Sequence, residues 1–371
     1  MNCPFCFSQH IEIVHTDFPY IRHVDFGIIK SVSTIGHCRE CGLVYNNMID
    51  ENKIDVEKIY TSEQYATSLR LNQLIYVNGY QKPVTPYFLQ AEIICPYIIS
   101  TSPSILDIGC FDGRLLTVFD DAFIDADLNG FDVNAYVRAH FPYKRNFRFW
   151  CGDLSHIKGT FDLITISHSL QYVSDLNKFM ETISSLLKPD GAVFFQAPDL
   201  SKNPYAFLYG DLYYYFTPSI MKNIFQKYEF DIEWVDHHNW FPREIVLLAK
   251  KKKGKTPTDL VYQRDETLET CHAYLKDVVR SLHEIAFTFE EPLGVLGTTL
   301  NAAFVNSVIE RSVSFFLDEN ELNVGKRFHD KRVLHPDTLN GHETILIPYG
   351  SAGKGICDKF KKKLKNKIVC L

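Results

Sequence analysis

Short apolar runs of strand length alternate with stretches of helical periodicity between about residue 104 and residue 250. The runs are SILDIG, DLNGFDV, FRFWCGD, FDLITIS and GAVFFQAP, and most neighbouring runs are far enough apart for a helix to lie between them. Strands that alternate with helices are typical of a parallel sheet with both faces covered. The pattern therefore predicts an α/β domain in the middle of the chain.

A second, smaller α/β pattern follows a polar break. The charged, Gly- and Pro-containing stretch KKKKGKTPTD predicts a linker, and Asp259 to Phe289 has the periodicity of a long amphipathic helix. Beyond it, LGVLG, VSFFLDEN, ETILIPYG and IVCL are predicted strands, while TLNAAFVNSVIE and ICDKFKKKLKNK are predicted helices. We predict a C-terminal Rossmann-like domain that helps to form a substrate cleft and binds no second cofactor.

The N-terminal segment carries two CxxC pairs, which predict a metal site. Their spacing allows two tight turns to present four thiolates as a tetrahedral zinc site, with ligands Cys3, Cys6, Cys38 and Cys41. Because protein ligands fill all four positions, we expect this zinc to be structural. The predicted domains are a zinc ribbon over 1–52, an α/β domain with an N-terminal helical segment over 53–250, a linker and helix over 251–286, and the second α/β domain over 287–371.

Composition and charge limit the classes of partner that we expect this protein to bind. Of 371 residues, 39 are Lys or Arg and 45 are Asp or Glu, giving a formal net charge of −6. This balance argues against a general nucleic-acid binder, because such proteins neutralise phosphates with basic residues. Neither a membrane-length apolar run nor a leader is recognisable, so we expect a cytoplasmic protein without a membrane partner. The 10 cysteines then favour reduced thiols and a metal over a disulfide framework.

The first predicted strand of the central domain ends in a glycine-bearing loop. Gly109 and Gly113 bracket this loop, and Asp132 follows the second strand, 23 residues after Gly109. A carboxylate at that position accepts hydrogen bonds from the hydroxyls of a ribose. Asp153 ends the third strand, where a nucleobase edge would lie. The spacing predicts an adenosine-containing cofactor and does not separate NAD from S-adenosylmethionine (SAM).

The motifs LDIGCFDGRLL, GFDVN, CGDLS, FDLITISHSLQYVSDL and LLKPDGAVFFQAPD resemble those of class I SAM-dependent methyltransferases over roughly residues 88–250. The resemblance implies a Rossmann-like methyltransferase domain with SAM as cofactor. The cofactor contacts it implies are Asp107, Gly109, Cys110, Phe111, Gly113, Asp132, Val133, Asp153, Leu154 and Ser167.

A narrower resemblance extends over nearly the whole chain. Phe111 replaces the middle glycine of the usual loop, as in a subfamily of sugar C-methyltransferases that also has a four-cysteine zinc domain and a C-terminal Rossmann-like domain. This resemblance implies a small-molecule substrate, such as a sugar or a nucleotide-linked sugar. The segment IYTSEQYATS resembles the part that folds over the cofactor in those enzymes, which implies a contact from Tyr65.

The subfamily's catalytic segment is only partly present here. In YGDLYYYFTPS, Tyr209 and Asp211 match its tyrosine and acid, but Leu212 stands where the subfamily has a histidine. Leucine accepts no proton, so we expect methylation at oxygen or nitrogen rather than carbon, with Asp211 or His168 as the base. The alternatives are an RNA methyltransferase that uses the ribbon as a clamp, and an inactive SAM-binding scaffold.

Overall fold

The computed structural model describes residues 2–16, 18–22, 25–29, 33–46, 55–67, 74–75, 77, 79–252, 266–288 and 292–371. Most of the predicted linker and the first residues of the helix predicted after it lie outside these ranges. The chain divides into two compact units. Unit 1 comprises Met1–Val14, Ile35–Asn203 and Leu212–Asp265, and unit 2 comprises His15–Thr34, Pro204–Asp211 and Glu266–Leu371.

The secondary structure is numbered here in chain order. The strands are β1 Ile11–Thr16, β2 Tyr20–Ile21, β3 Ile28–Ile29, β4 Ser33–Cys38, β5 Val44–Asn46, β6 Ser104–Ile108, β7 Asp127–Asp132, β8 Phe147–Cys151, β9 Phe161–Ser167, β10 Leu187–Pro198, β11 Tyr214–Tyr215, β12 Phe230–Trp234, β13 Glu244–Lys251, β14 Leu293–Leu296, β15 Val313–Leu317, β16 Arg327–Phe328, β17 Lys331–Leu334, β18 Thr344–Ile347 and β19 Lys367–Cys370. The α-helices are α1 Val56–Tyr60, α2 Glu63–Thr67, α3 Pro86–Ile94, α4 Arg114–Ala122, α5 Leu176–Leu186, α6 Pro218–Lys227, α7 Thr267–Thr288, α8 Leu300–Ile309 and α9 Lys354–Lys363.

The main sheet of unit 1 has the order β12-β13-β10-β9-β6-β7-β8. Strands β6 to β10 run parallel, and β13 is antiparallel to β10 and to β12. The inner strands β6 and β9 are almost continuously buried, as expected for a parallel sheet with both faces covered. This arrangement confirms the predicted Rossmann-like α/β domain. It also brings the carboxyl ends of β6, β7, β8 and β9 to one edge.

Several helices of unit 1 begin where the sequence supplies a capping side chain. Thr85 accepts a hydrogen bond from the amide of Phe88 at the start of α3, and Asp175 accepts one from the amide of Lys178 at the start of α5. Thr217 caps α6 in the same way. Such caps pair amides that the first turn of a helix leaves without a partner. In a smaller sheet of order β1-β4-β5-β11, Cys38 ends β4 and Cys41 lies in the turn before β5.

Unit 2 contains the second α/β sheet, with the order β16-β17-β15-β14-β18-β19. Its strands β17, β15, β14, β18 and β19 are parallel, which confirms the predicted smaller Rossmann-like domain. Gly297 adopts a φ of 96° directly after β14. Phe304, Phe316 and Phe360 are fully buried in this unit.

One disulfide contradicts the expectation that the cysteines are reduced. Cys357 on α9 and Cys370 on β19 are bonded to each other. Their Cα atoms are 6.4 Å apart, because α9 packs beside the strand that follows it, and this separation allows bridging. Within the described part of the chain, no helix combines the length and apolar character needed to cross a bilayer.

Candidate active site

The loop between β6 and α4 is shaped by two glycines in left-handed conformation. Gly109 has a φ of 76°, and Gly113, at the start of α4, has a φ of 74°. A Cβ atom on Gly109 would lie 2.0 Å from the Oγ of Ser169, so this position admits no side chain without rearrangement. The amide of Gly109 donates to the carbonyl oxygen of Phe131 at 2.8 Å, which ties the loop to the end of β7.

Asp132 at the end of β7 organises the same loop. Its Oδ2 accepts a hydrogen bond from the amide of Phe111 at 3.0 Å, and its Oδ1 accepts one from the amide of Asn134 at 2.9 Å. The side chain is buried, and burial raises its pKa although both amides favour the ionised form. Each oxygen retains a further acceptor direction. Asp132 is therefore suited to accept hydrogen bonds from a diol.

Asp107 and Cys110 are buried beside this loop. The Oδ1 of Asp107 accepts a hydrogen bond from the Oγ1 of Thr165 at 2.6 Å. Burial raises the pKa of Asp107 to about 7, aided by the nearby charge of Asp132 and opposed by the hydrogen bond from Thr165. Burial also raises the pKa of the Cys110 thiol. The described contacts of Asp107 thus join β6 to β9 beneath the candidate cofactor site.

The end of β8 presents a second, exposed acid. Asp153 accepts a hydrogen bond from the amide of Ser155 at 2.9 Å and lies 3.4 Å from the Nζ of Lys178. These contacts lower the pKa of Asp153 to about 2, and the hydrogen bond from the amide of Ser155 has the largest effect. Val133 is 49% exposed and Leu154 is half-buried at the same edge of the sheet. An aromatic base would find apolar surface and an ionised carboxylate here.

Helices α1 and α2 are fixed to the loop after β7 by Asn134, a residue that the sequence analysis did not select. Its Nδ2 donates to the carbonyl oxygens of Tyr60 and Ser62, each at 2.8 Å. The Tyr65 ring lies 5.8 Å from the Phe111 ring, measured between centroids. Asn134 stands two residues after Asp132, but nothing in the sequence indicates what its amide contacts. The Tyr65 contact to cofactor stays a prediction.

His168 lies directly after β9 and is the first member of a series of hydrogen-bonded polar side chains. Its Nε2 is 3.1 Å from the Oε2 of Glu244, which also accepts a hydrogen bond from the Nε2 of Gln196 at 2.5 Å. The Nε2 of Gln90 donates to the Oε1 of Gln196 at 2.6 Å and to the Oγ of Ser167 at 2.9 Å. Burial would raise the pKa of Glu244, but the attraction and hydrogen bond of His168 and the hydrogen bond from Gln196 lower it. No sequence signal indicated Glu244.

The remaining predicted catalytic residues belong to unit 2. Tyr209 is half-buried and forms an isolated β-bridge with Ile21, while Asp211 is fully buried. Leu212 is the first residue of the next segment of unit 1 and is 3% exposed. The position of the subfamily's histidine is therefore occupied by a buried apolar side chain.

The four cysteines of the two CxxC pairs converge. The Sγ atoms of Cys3 and Cys41 are 3.6 Å apart, those of Cys6 and Cys38 are 3.5 Å apart, and all four lie within 4.8 Å of one another. Sulfurs placed tetrahedrally about 2.3 Å from a zinc ion are about 3.8 Å apart. Gly42 adopts a φ of 79° directly after the second pair. The cluster is compatible with a zinc ribbon.

Side chains of α5 and α6 hold both cysteine turns. Asn177 on α5 donates to the carbonyl oxygen of Pro4 at 2.8 Å, and Asn223 on α6 donates to that of Cys41 at 3.1 Å. The Nζ of Lys227 donates to the carbonyl oxygen of Phe5 at 2.8 Å and lies 4.4 Å from its ring centroid. Both cysteine turns are thereby part of unit 1.

Comparisons with known proteins agree with this architecture. A family model described as a methyltransferase domain matches residues 86–235. Trans-aconitate 2-methyltransferase of Deinococcus radiodurans is 28% identical over 96 residues, which cover 25% of this chain and 37% of that protein. The chain thus matches little more than a third of the length of this curated relative.

Solved structures of SAM-dependent methyltransferases are similar to less than half of this chain. One from Methanosarcina mazei is 16% identical and covers 43% of this chain and 96% of its own, with a TM-score of 0.35. One from Archaeoglobus fulgidus is 16% identical and covers 44% of this chain and 92% of its own, also with a TM-score of 0.35. Residues 86–235 thus match a methyltransferase domain, and their sheet has the Rossmann-like fold of class I SAM-dependent methyltransferases.

Proposed function

We propose that this protein transfers a methyl group from SAM to an oxygen or nitrogen of a small molecule, most simply a sugar or a nucleotide-linked sugar. SAM supplies a methyl group activated on a sulfonium, so the protein has to align the acceptor and take its proton. In this proposal Asp132 binds the ribose, and Asp153, Val133 and Leu154 line the space for the adenine.

The observation that carries the proposal is the hydrogen bonding of Asp132. Two backbone amides, from Phe111 and Asn134, fix its carboxylate at the end of the second strand, with acceptor capacity to spare. In open α/β sheets, ligands bind outside the carboxyl ends of the strands, and an acid at this strand end pairs with the ribose. The site thus has the group that an adenosine-containing cofactor requires.

The preference for oxygen or nitrogen rests on Leu212. Formation of an enolate needs a strong, well-placed base beside the acidic carbon, whereas a hydroxyl or amine needs only a modest base. Leu212 is buried and apolar, so the base available at this position in the resembled subfamily is missing here. His168 is the proton acceptor in this proposal.

We also propose that Cys3, Cys6, Cys38 and Cys41 bind one structural zinc ion. The sulfur separations match a closed tetrahedral site, in which all four positions are protein ligands. Such a site contributes to folding and leaves no position for a substrate.

Calorimetry with the product S-adenosylhomocysteine (SAH) tests the cofactor assignment without knowledge of the acceptor. We expect one binding site per chain. Tritium transfer from labelled SAM to a panel of nucleotide-linked sugars, followed by NMR of the product, then identifies the methylated atom. Failure to bind SAH contradicts the proposal as a whole. A new carbon–methyl bond, or transfer to RNA alone, contradicts the proposal that the acceptor is an oxygen or nitrogen of a small molecule.

A further inference from the structure

His168 is held in an unusual backbone conformation at the edge of the sheet where ligands bind. Its φ is 53°, in the left-handed region that residues other than glycine rarely adopt. The amide of His168 donates to the carbonyl oxygen of Gln196 at 2.8 Å, which fixes the turn after β9. Backbone conformations of this kind persist where the surrounding structure imposes them, and they cluster at functional sites.

The contact between His168 and Glu244 determines which ring nitrogen carries the proton. The Nε2 of His168 is 3.1 Å from the Oε2 of Glu244, and this oxygen also accepts a hydrogen bond from the Nε2 of Gln196. An ionised carboxylate only accepts hydrogen bonds. The ring must therefore donate from Nε2, and in the neutral imidazole the lone pair is on Nδ1.

We propose that Glu244 is a positioning residue that fixes His168 as the Nε2–H tautomer and makes Nδ1 the atom that accepts the substrate's proton. The inference rests on the proposed function for the role of Nδ1 in methyl transfer, but the tautomer itself does not depend on it. Glu244 would act through His168 and not touch the reacting atoms.

Two buried glutamines hold Glu244 in place. Gln196, 1% exposed, donates from its Nε2 to the Oε2 of Glu244, and Gln90, 4% exposed, donates to the Oε1 of Gln196. Rotation of the carboxylate away from His168 would leave the buried amide of Gln196 without this acceptor, and unpaired buried polar groups are costly. The chain of hydrogen bonds thus extends from α3 through β10 to the first residue of β13.

The proton balance of the reaction fits this arrangement. As the acceptor oxygen or nitrogen bonds to the methyl carbon, the bond from that carbon to sulfur breaks and its electron pair stays on sulfur. The acceptor's proton passes to Nδ1 of His168, and the resulting imidazolium is compensated by the carboxylate already bonded at Nε2. The ring is 34% exposed, so the proton can then leave to solvent.

Nitrogen NMR of the ring tests the inference without a substrate. Protein labelled with ¹⁵N-histidine is studied at about pH 9, well above the ordinary imidazole pKa of about 6.5, and two-bond ¹⁵N–¹H correlations report the tautomer. The signals are assigned by their loss in His168→Gln. We expect the Nε2–H form in the wild type and increased Nδ1–H in Glu244→Gln, whose amide can donate to Nε2. Glu233→Gln, which removes a charge from the neighbouring strand β12, serves as the matched control and should leave the tautomer unchanged.

An Nδ1–H wild-type ring overturns the inference, and this measurement needs no variant to fold. An unchanged tautomer in a folded Glu244→Gln protein overturns it as well. SAH binding measured on the same samples separates the two hypotheses. Wild-type protein that does not bind SAH contradicts the proposed function, whereas normal SAH binding with the wrong tautomer contradicts only the role of Glu244. With an acceptor in hand, Glu244→Gln should lower kcat by up to about a hundredfold and leave the KM for SAM unchanged.

Discussion

Asp132→Ala should weaken SAH binding by about tenfold to a hundredfold. The substitution removes a hydrogen bond between an ionised carboxylate and a ribose hydroxyl, and such bonds contribute about 1.5–3 kcal/mol. It also leaves the amides of Phe111 and Asn134 without the acceptors found at 3.0 and 2.9 Å. We therefore expect lower stability as well, because each unpaired buried amide costs about 1–3 kcal/mol.

Calorimetric titration with SAH, together with thermal unfolding with and without SAH, separates these two effects. The matched control is Asp127→Ala, which removes the same charge at the opposite end of the same strand. Asp127 pairs with Arg148 on the surface, and exposed ion pairs contribute about 0–1 kcal/mol. The assignment of Asp132 to the ribose is refuted if a folded Asp132→Ala protein binds SAH as tightly as Asp127→Ala.

Three further predictions follow from other residues. Cys38→Ser should reduce the bound zinc, measured by elemental analysis, and lower the unfolding temperature. Cys151→Ser, at an exposed cysteine outside the cluster, should change neither quantity. A zinc-free, stable wild type would disprove the site. Because burial raises the pKa of Asp107 to about 7, its contribution favours folding below the unfolded pKa of about 3.9 and is lost as the pH rises towards 7. Asp107→Asn should therefore flatten the dependence of unfolding free energy on pH between about 4 and 7, and an unaltered slope in denaturant titrations would count against this. Asn134→Asp should place a charge against two carbonyl oxygens and thereby increase amide hydrogen exchange in α1 and α2. Asn301→Asp, at a buried side-chain amide of unit 2, should leave exchange in these two helices unchanged. Equal exchange in both variants would exclude the anchoring role of Asn134.

The parallel strands of the unit 1 sheet were predictable because each is a local apolar run. Strands β6 and β9 are buried on both faces, so their apolar runs stand out in the sequence. Gly109 and Asp132 occupy the ends of adjacent parallel strands, and such ends always meet at one edge of a sheet. The cysteine cluster was predictable for a similar reason, since each CxxC pair forms its own turn.

Contacts between segments far apart in sequence were not predictable in this way. The amide of Asn134 reaches Tyr60 across 74 residues, and Gln90 reaches Gln196 across 106. Neither pair has a spacing rule, because the path of the chain between the partners decides whether they meet. Likewise, nothing local indicated that Cys357 and Cys370, on an α-helix and the strand after it, would be bonded.

These distant contacts change how the candidate base should be judged. On sequence alone, His168 was one histidine among 14, and only its position after a predicted strand indicated a catalytic role. The structure adds a left-handed backbone, an ionised partner on β13 and two buried amides that hold this partner. A histidine that merely lines a pocket needs none of these, since its ring can rotate freely between tautomers and partners. These contacts fix one ring nitrogen of His168 as a hydrogen-bond donor. Such an arrangement is expected if the other ring nitrogen has to accept a proton during methyl transfer.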